Sequence, residues 1–180
     1  MKKLILGSAI VAILGVASNA MAAPNSGTVN FTGSVSTATC DVSLKDSTGG
    51  DISNVNLGTL STADSNNGTA VVFKLVPKDQ GCLAKTSANI NWSSSTLNPN
   101  GITNATTTGG TNAYLQVKTT NATQTGTTAM IKEGQTSFDY TGTGGKGIAS
   151  FDYSAQLLKP SSGATAGVFN ASASYVVTYK

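Results

Sequence analysis

Apolar and polar residues alternate along most of this chain in short stretches of period two, and no segment sustains a helical repeat. Alternation sends successive side chains to opposite faces of a pleated backbone, so each stretch predicts a half-buried β-strand. The stretches are rich in Val, Thr, Phe and Tyr and are separated by Gly, Asn, Ser and Thr turns. They predict strands at residues 28–36, 38–44, 52–60, 69–77, 84–93, 113–119, 128–132, 137–140, 148–158 and 172–179. In 148–158 the residues Phe151, Tyr153, Ala155 and Leu157 share one face, and in 84–93 the inward set is Ala88, Ile90 and Trp92. Residues 94–111 and 119–128 are Thr/Asn/Gly-rich and nearly uncharged, which predicts surface loops. Their triplets Asn104-Ala105-Thr106 and Asn121-Ala122-Thr123 arise by chance in so much Asn and Thr and are not taken as glycosylation sites. This many strands in 180 residues, with no linker or repeat, predict a single all-β sandwich domain.

The first residues follow a different pattern. Lys2 and Lys3 precede an apolar run from Leu4 to Val16, and small side chains follow, with Ala20 and Ala22 in an A-x-A arrangement. That is a secretory signal peptide, residues 1–22, cleaved after Ala22. The apolar run, about a dozen residues, is too short to span a bilayer core of ~30 Å. Removing the two lysines takes the net charge from +3 to +1, so the mature chain has no pull toward polyanions. Cys40 and Cys82 are the only cysteines and are too far apart for a C-x-x-C redox motif or a zinc knuckle. In an exported chain they predict one structural disulfide.

Composition then removes whole classes of chemistry. The chain has 26 Thr and 20 Gly but no His and no Arg, and Glu133 is its single glutamate. Without His there is no Ser-His-Asp triad, no Cys-His pair and no imidazole metal ligand. Without Arg there is no bidentate phosphate clamp and no reason to expect nucleic-acid binding. Asp139 and Asp152 sit in predicted strands with no spacing that pairs carboxylates for acid/base work. The chain is not expected to be an enzyme, to hold a metal or to need a cofactor.

The two ends carry the functional signal. Near the mature N-terminus, Gly27, Val29, Phe31, Gly33 and Val35 share one face, with Thr28, Asn30, Thr32 and Ser34 opposite. From Gly167 onward the odd positions read Phe169, Ala171, Ala173, Tyr175, Val177 and Tyr179, and Lys180 follows. No sequence follows to form a neighbour for that strand, so it is expected to leave one edge unpaired beside an apolar groove, a costly arrangement.

Several motifs then carry a family resemblance. They are Gly27-Thr28-Val29-Asn30-Phe31 with Gly33 ahead of Cys40, and Cys82-Leu83-Ala84-Lys85-Thr86. They continue with Phe151-Asp152-Tyr153-Ser154-Ala155-Gln156-Leu157, Ala166-Gly167-Val168-Phe169 and the penultimate Tyr179. Together they resemble a major subunit of chaperone–usher fimbriae, in the type 1 pilin family, and particularly the fimbriae of enterotoxigenic bacteria of livestock. The resemblance implies an incomplete immunoglobulin-like β-sandwich that lacks its last strand and is completed by a donor strand from a neighbouring subunit. It divides the mature chain into a donor-strand extension, residues 23–37, and a pilin domain, residues 38–180.

The same resemblance implies partners and a place. A periplasmic chaperone lends a strand to the C-terminal groove and holds the terminal carboxylate at Lys180. At the outer-membrane usher, the extension of the next subunit replaces that strand, giving a head-to-tail polymer at the cell surface that supports adhesion to host surfaces. Val29, Phe31 and Val35 would contribute roughly 1.5–3 kcal/mol each on full burial. Host glycoconjugates are a further partner in related shaft subunits that act as lectins. Lys159 with Ser161 and Ser162, and Lys118, Lys132 and Lys146, are more readily explained as solvated residues, and Trp92 as core, so no glycan site is assigned. The alternatives are a shaft subunit that is itself a lectin, or a monomeric carbohydrate-binding sandwich whose N-terminal strand folds into its own domain.

Overall fold

The computed structural model describes residues 26–31, 40–63 and 65–180, the first of these segments by its backbone. Its strands are β1 (Ser26–Phe31), β2 (Val42–Asp46), β3 (Asn54–Thr59), β4 (Val71–Pro77), β5 (Ser87–Ser93) and β6 (Leu97–Asn98). They continue with β7 (Gly101–Thr103), β8 (Tyr114–Thr119), β9 (Met130–Ile131), β10 (Ser137–Thr141), β11 (Phe151–Leu158) and β12 (Phe169–Tyr179). One sheet runs β10-β5-β12-β1-β3 and the other β2-β4-β11-β8-β7-β6, with β9 paired to β8. Among the described strands, every strand-to-strand pairing is antiparallel except β1 with β12, which is parallel. The fold is an immunoglobulin-like β-sandwich.

The alternation along each strand decides what fills it. Ala88, Ile90 and Trp92 on β5 face Phe151, Tyr153, Ala155 and Leu157 on β11, and all seven are buried. Trp92 meets Tyr153 edge-on with ring centroids 5.2 Å apart, and Phe73 stacks on Tyr153 at 5.2 Å. Such ring pairs add about 0.5–1.5 kcal/mol beyond area burial. The polar ends of these rings need partners in a dry core. Trp92 Nε1 donates to the Tyr153 hydroxyl at 3.2 Å, the Tyr140 hydroxyl donates to it at 2.7 Å, and Tyr140 lies 2.8 Å from Thr119 Oγ1. One chain of hydrogen bonds therefore crosses the sandwich from β5 through β11 and β10 to β8.

Three local elements depart from the sequence expectation. The stretch 94–111 contains the β6–β7 hairpin, closed by Asn98 Oδ1 accepting the N–H groups of Asn100 and Gly101. A short helix, α1 (Gln80–Leu83), carries Cys82, where no helix was expected. The predicted strand 128–132 is a 3-10 turn over Gly126–Ala129 followed by the two residues of β9. The disulfide forms as expected between Cys40 and Cys82, 42 residues apart with Cα atoms 5.9 Å apart. It ties the segment just after the N-terminal extension to α1. The signal segment 1–22 and the donor residues Gly33 and Val35 lie outside the described residues.

Two outcomes test this account. Replacing both Cys40 and Cys82 by Ser should lower stability by about 4 kcal/mol, read from urea unfolding. Burial pushes the Tyr140 hydroxyl up to about 12 and holds Tyr153 well above its ordinary value. Unfolded tyrosines ionise near 10, so this part of the stability is intact below that pH and is lost as pH rises from about 10 toward 12. Melting temperatures measured across that range should fall steeply, and a flat profile would contradict the buried chain.

Candidate functional site

Strand β12 is the longest in the molecule among the described residues, and its two faces differ all the way to the half-buried Tyr179. Phe169, Ala171, Ala173, Tyr175 and Val177 are buried, while Asn170, Ser172, Ser174, Val176 and Thr178 are exposed. Its two edges differ as well. Within a strand, one residue directs its N–H and C=O to one edge and the next residue to the other. The even-numbered residues bond away from β1. Val168 N donates to Gly109 O, Asn170 O accepts from Ala105 N, Ser172 O accepts from Ser94 Oγ, and Lys180 N donates to Ser87 O. Between them, residues 174–179 pair with β5. The odd-numbered residues thus do two jobs, sending side chains into the core and backbone groups toward the opposite edge.

That opposite edge borders a slot one strand wide, between β12 and β3. The N-terminal segment β1 stands in it. Gly27, Thr28, Val29, Asn30 and Phe31 pair in parallel with Phe169, Asn170, Ala171, Ser172 and Ala173. On its other side β1 pairs antiparallel with β3, from Ser26 opposite Thr59 to Asn30 opposite Asn54, with an irregularity between Ser26 and Thr28. Gly58, at φ +70, sits beside that irregularity, and its N–H is taken by Asn56 Oδ1. The donor residues Gly27, Val29 and Phe31 therefore occupy the register positions of Phe169, Ala171 and Ala173. The strand expected from a neighbouring subunit is here the chain's own. Without β1 both walls of the slot would offer unpaired backbone, which this segment satisfies.

The direction of the described seating is informative. Beyond Ala173, no described strand pairs with the slot edge of β12, which leaves the part that carries Tyr175, Val177 and Tyr179. Because β12 and β3 run in opposite directions, any strand in the slot must be parallel to one wall and antiparallel to the other. Strand β3 has no other sheet partner among the described residues, so β1 alone joins it to the sheet. Val55, Leu57 and the following Leu60 are buried and hold β3 by packing.

The remaining C-terminal positions complete the picture. Tyr175 packs on Trp92 with centroids 5.3 Å apart, and Tyr179 lies 6.2 Å from Phe151. The Tyr179 hydroxyl is buried without a hydrogen-bond partner among the described residues, and burial pushes it up to about 12. Lys180 is exposed. The Asn89 and Gln124 amides hold the Asp139 carboxyl below the usual carboxylate range, helped by the charge of Lys180. Gly167 adopts φ +152, and a Cβ there would stand 2.6 Å from Gly109 O and Thr111 N, so its role is a close backbone crossing. Trp92 is core and unavailable to a sugar. Sequence reasoning missed the loop 104–111 as a partner of β12, although the Gly109-Gly110 pair signals a close approach.

Among the described residues, no three His, Cys, Asp or Glu side chains come together in a group able to hold a metal ion. No protein-family model matches the chain. Two curated relatives match it along its length. The K99 fimbrial protein of Escherichia coli is 40% identical over 189 aligned residues, covering 99% of both chains. The F107 fimbrial protein of Escherichia coli is 35% identical over 190, covering 100% of both.

The crossing at Gly167 generates a direct test. Replacing it by Ala should destabilise the fold by about 1–3 kcal/mol, through a strained φ and a backbone collision. Thermal unfolding reads the change, and an unaltered midpoint would remove the close-crossing role.

Proposed function

This chain belongs to the fimbrial protein family, and from that premise we propose that it is a shaft subunit of a chaperone–usher fimbria that polymerises by donor-strand exchange. The signal peptide exports it to the periplasm, where a chaperone fills the slot beside β12. At the outer-membrane usher the extension of the next subunit, residues 23–37, takes the chaperone's place. The product is a head-to-tail fibre on the cell surface that supports adhesion to host surfaces. The polymer provides the function, with no catalytic step and no cofactor. Host glycoconjugates as direct ligands have no assigned residues here.

The observation that carries this reading is the slot edge of β12, lined by Phe169 to Val177 and paired, among the described residues, by a single inserted strand opposite Phe169 to Ala173. A tethered arm competes at an effective concentration of order mM. A neighbour's arm at about μM must therefore make up roughly 4 kcal/mol. A neighbour's arm that reaches further along β12 than the tethered one, burying one or two more apolar side chains at about 1.5–3 kcal/mol each, would meet that difference. An arm from another subunit is also free to run antiparallel to β12.

The self-seated β1 favours a second reading, a chain that closes on itself and stays monomeric. The mature protein, purified with and without chaperone and run unheated in detergent, separates the two. A ladder of multimers supports exchange, and a lone monomer under every condition supports closure. Deleting residues 23–35 should leave a subunit that binds chaperone yet caps no neighbour, so filaments of normal length would overturn the proposal. Replacing Tyr179 by Ser should weaken chaperone capture and lower periplasmic levels several-fold, measured by immunoblot. Unchanged levels would count against the C-terminal assignment.

A further inference from the structure

The first part of β12 has no strand on the edge away from the slot, because β5 begins its pairing only at Ser174. The loop 104–111 supplies what a strand would, and the Asn104 side chain stands at its centre. Asn104 Nδ2 donates to Val168 O at 2.7 Å and to Thr111 O at 2.9 Å. Its Oδ1 accepts from Asn170 N at 2.9 Å and from Thr106 N at 3.0 Å. Four bonds use both donors and both lone-pair directions of the amide. Around it, Ala105 N donates to Asn170 O, Thr111 N donates to Val168 O, and Asn170 Nδ2 donates to Thr106 Oγ1. Gly110 bridges Val168 in parallel, and a Cβ on Gly110 would collide with the Thr106 carbonyl and the Asn104 amide. The Asn104-Ala105-Thr106 triplet is thus a hydrogen-bonding clasp.

We infer that Asn104 is a positioning residue for strand insertion: it clasps β12 at Val168 and Asn170 from behind, so that Phe169, Ala171 and Ala173 present a straight edge to the slot. The two sets of groups alternate along one backbone, so a fault on one edge distorts the other. With Asn170 N and O both taken, an arriving strand finds one edge to pair with at this end of β12. That also denies a second strand the edge where unwanted pairing would start. The inference rests on the reading of the slot edge as strand-accepting.

Amide hydrogen exchange on the mature full chain tests it. In Asn104→Ala, the amides of Val168, Asn170 and residues 27–31 should exchange about tenfold faster or more, while those of Ser174, Val176 and Thr178, held by β5, keep their rates. Asn104→Asp retains the Oδ1 acceptor and loses both donors, so it should restore part of the protection at Asn170 and β1. Faster exchange confined to residues 105–111 would mean that Asn104 serves only its own loop, and the inference falls. Uniform acceleration that includes Ser174, Val176 and Thr178 would mark general destabilisation and overturn it equally. If Asn104→Ala does not fold, Thr106→Val removes only the bond from the Asn170 side chain. It should speed exchange at Asn170 and β1 a few-fold, and unmoved β1 amides would refute the clasp. A wild-type chain that makes no multimer ladder would leave these rates as they are, so the two readings fail separately.

Discussion

Every buried N–H and C=O needs a partner, and along the slot edge of β12 that requirement organises the molecule. The residues that direct backbone groups to this edge also send Phe169, Ala171, Ala173, Tyr175 and Val177 into the core. Core packing and edge pairing therefore rise and fall together. A strand in the slot satisfies β12 on one side and joins β3 to the sheet on the other. An unfilled slot would expose two edges and the flank of a hydrophobic core at once.

The rest of the fold braces that slot. The hydrogen-bonded rings of Trp92, Tyr153 and Tyr140 fix β5, β11 and β10 relative to one another. The β5 ladder then holds the second half of β12, and the clasp around Asn104 holds the first. At the outer edge of β10, Gln124 seals the backbone by accepting Asp139 N–H and donating to its carboxylate. Among the described residues, the strands of the slot-bearing sheet include one charged residue, Asp139. Those of the other sheet carry Lys45, Asp46, Lys74, Lys118 and Asp152. A strand that enters the slot consequently meets backbone and apolar groups, with little charge to desolvate.

Much of this was legible in the residues. The inward sets on β5 and β11 are buried as the alternation required, and so are the odd positions of β12 through Val177. Burial follows directly from period two once one face must be dry. What alternation did not reveal were elements too short to show a period. The β6–β7 hairpin places Ile102 in the core but offers too few rungs to rise above its Thr/Asn/Gly surroundings. Helix α1 spans a single turn, which no periodicity can register. The clasp at Asn104 was invisible for another reason. Its four bonds join residues up to 66 positions apart, and an Asn in a Thr-rich stretch reads the same whether it is solvated or fully engaged.

The amino-acid sequence alone determined the longer strands, which face of each is buried and that the two cysteines pair, because alternation over several residues fixes the dry face and a lone pair of distant cysteines has one partner each. Only the tertiary structure decided where β1 sits, which way it runs and which residues of β12 it faces. A strand's alternation is identical read in either direction and indifferent to its neighbour. Direction and partner are set by chain connectivity and by the backbone groups that two distant strands leave open.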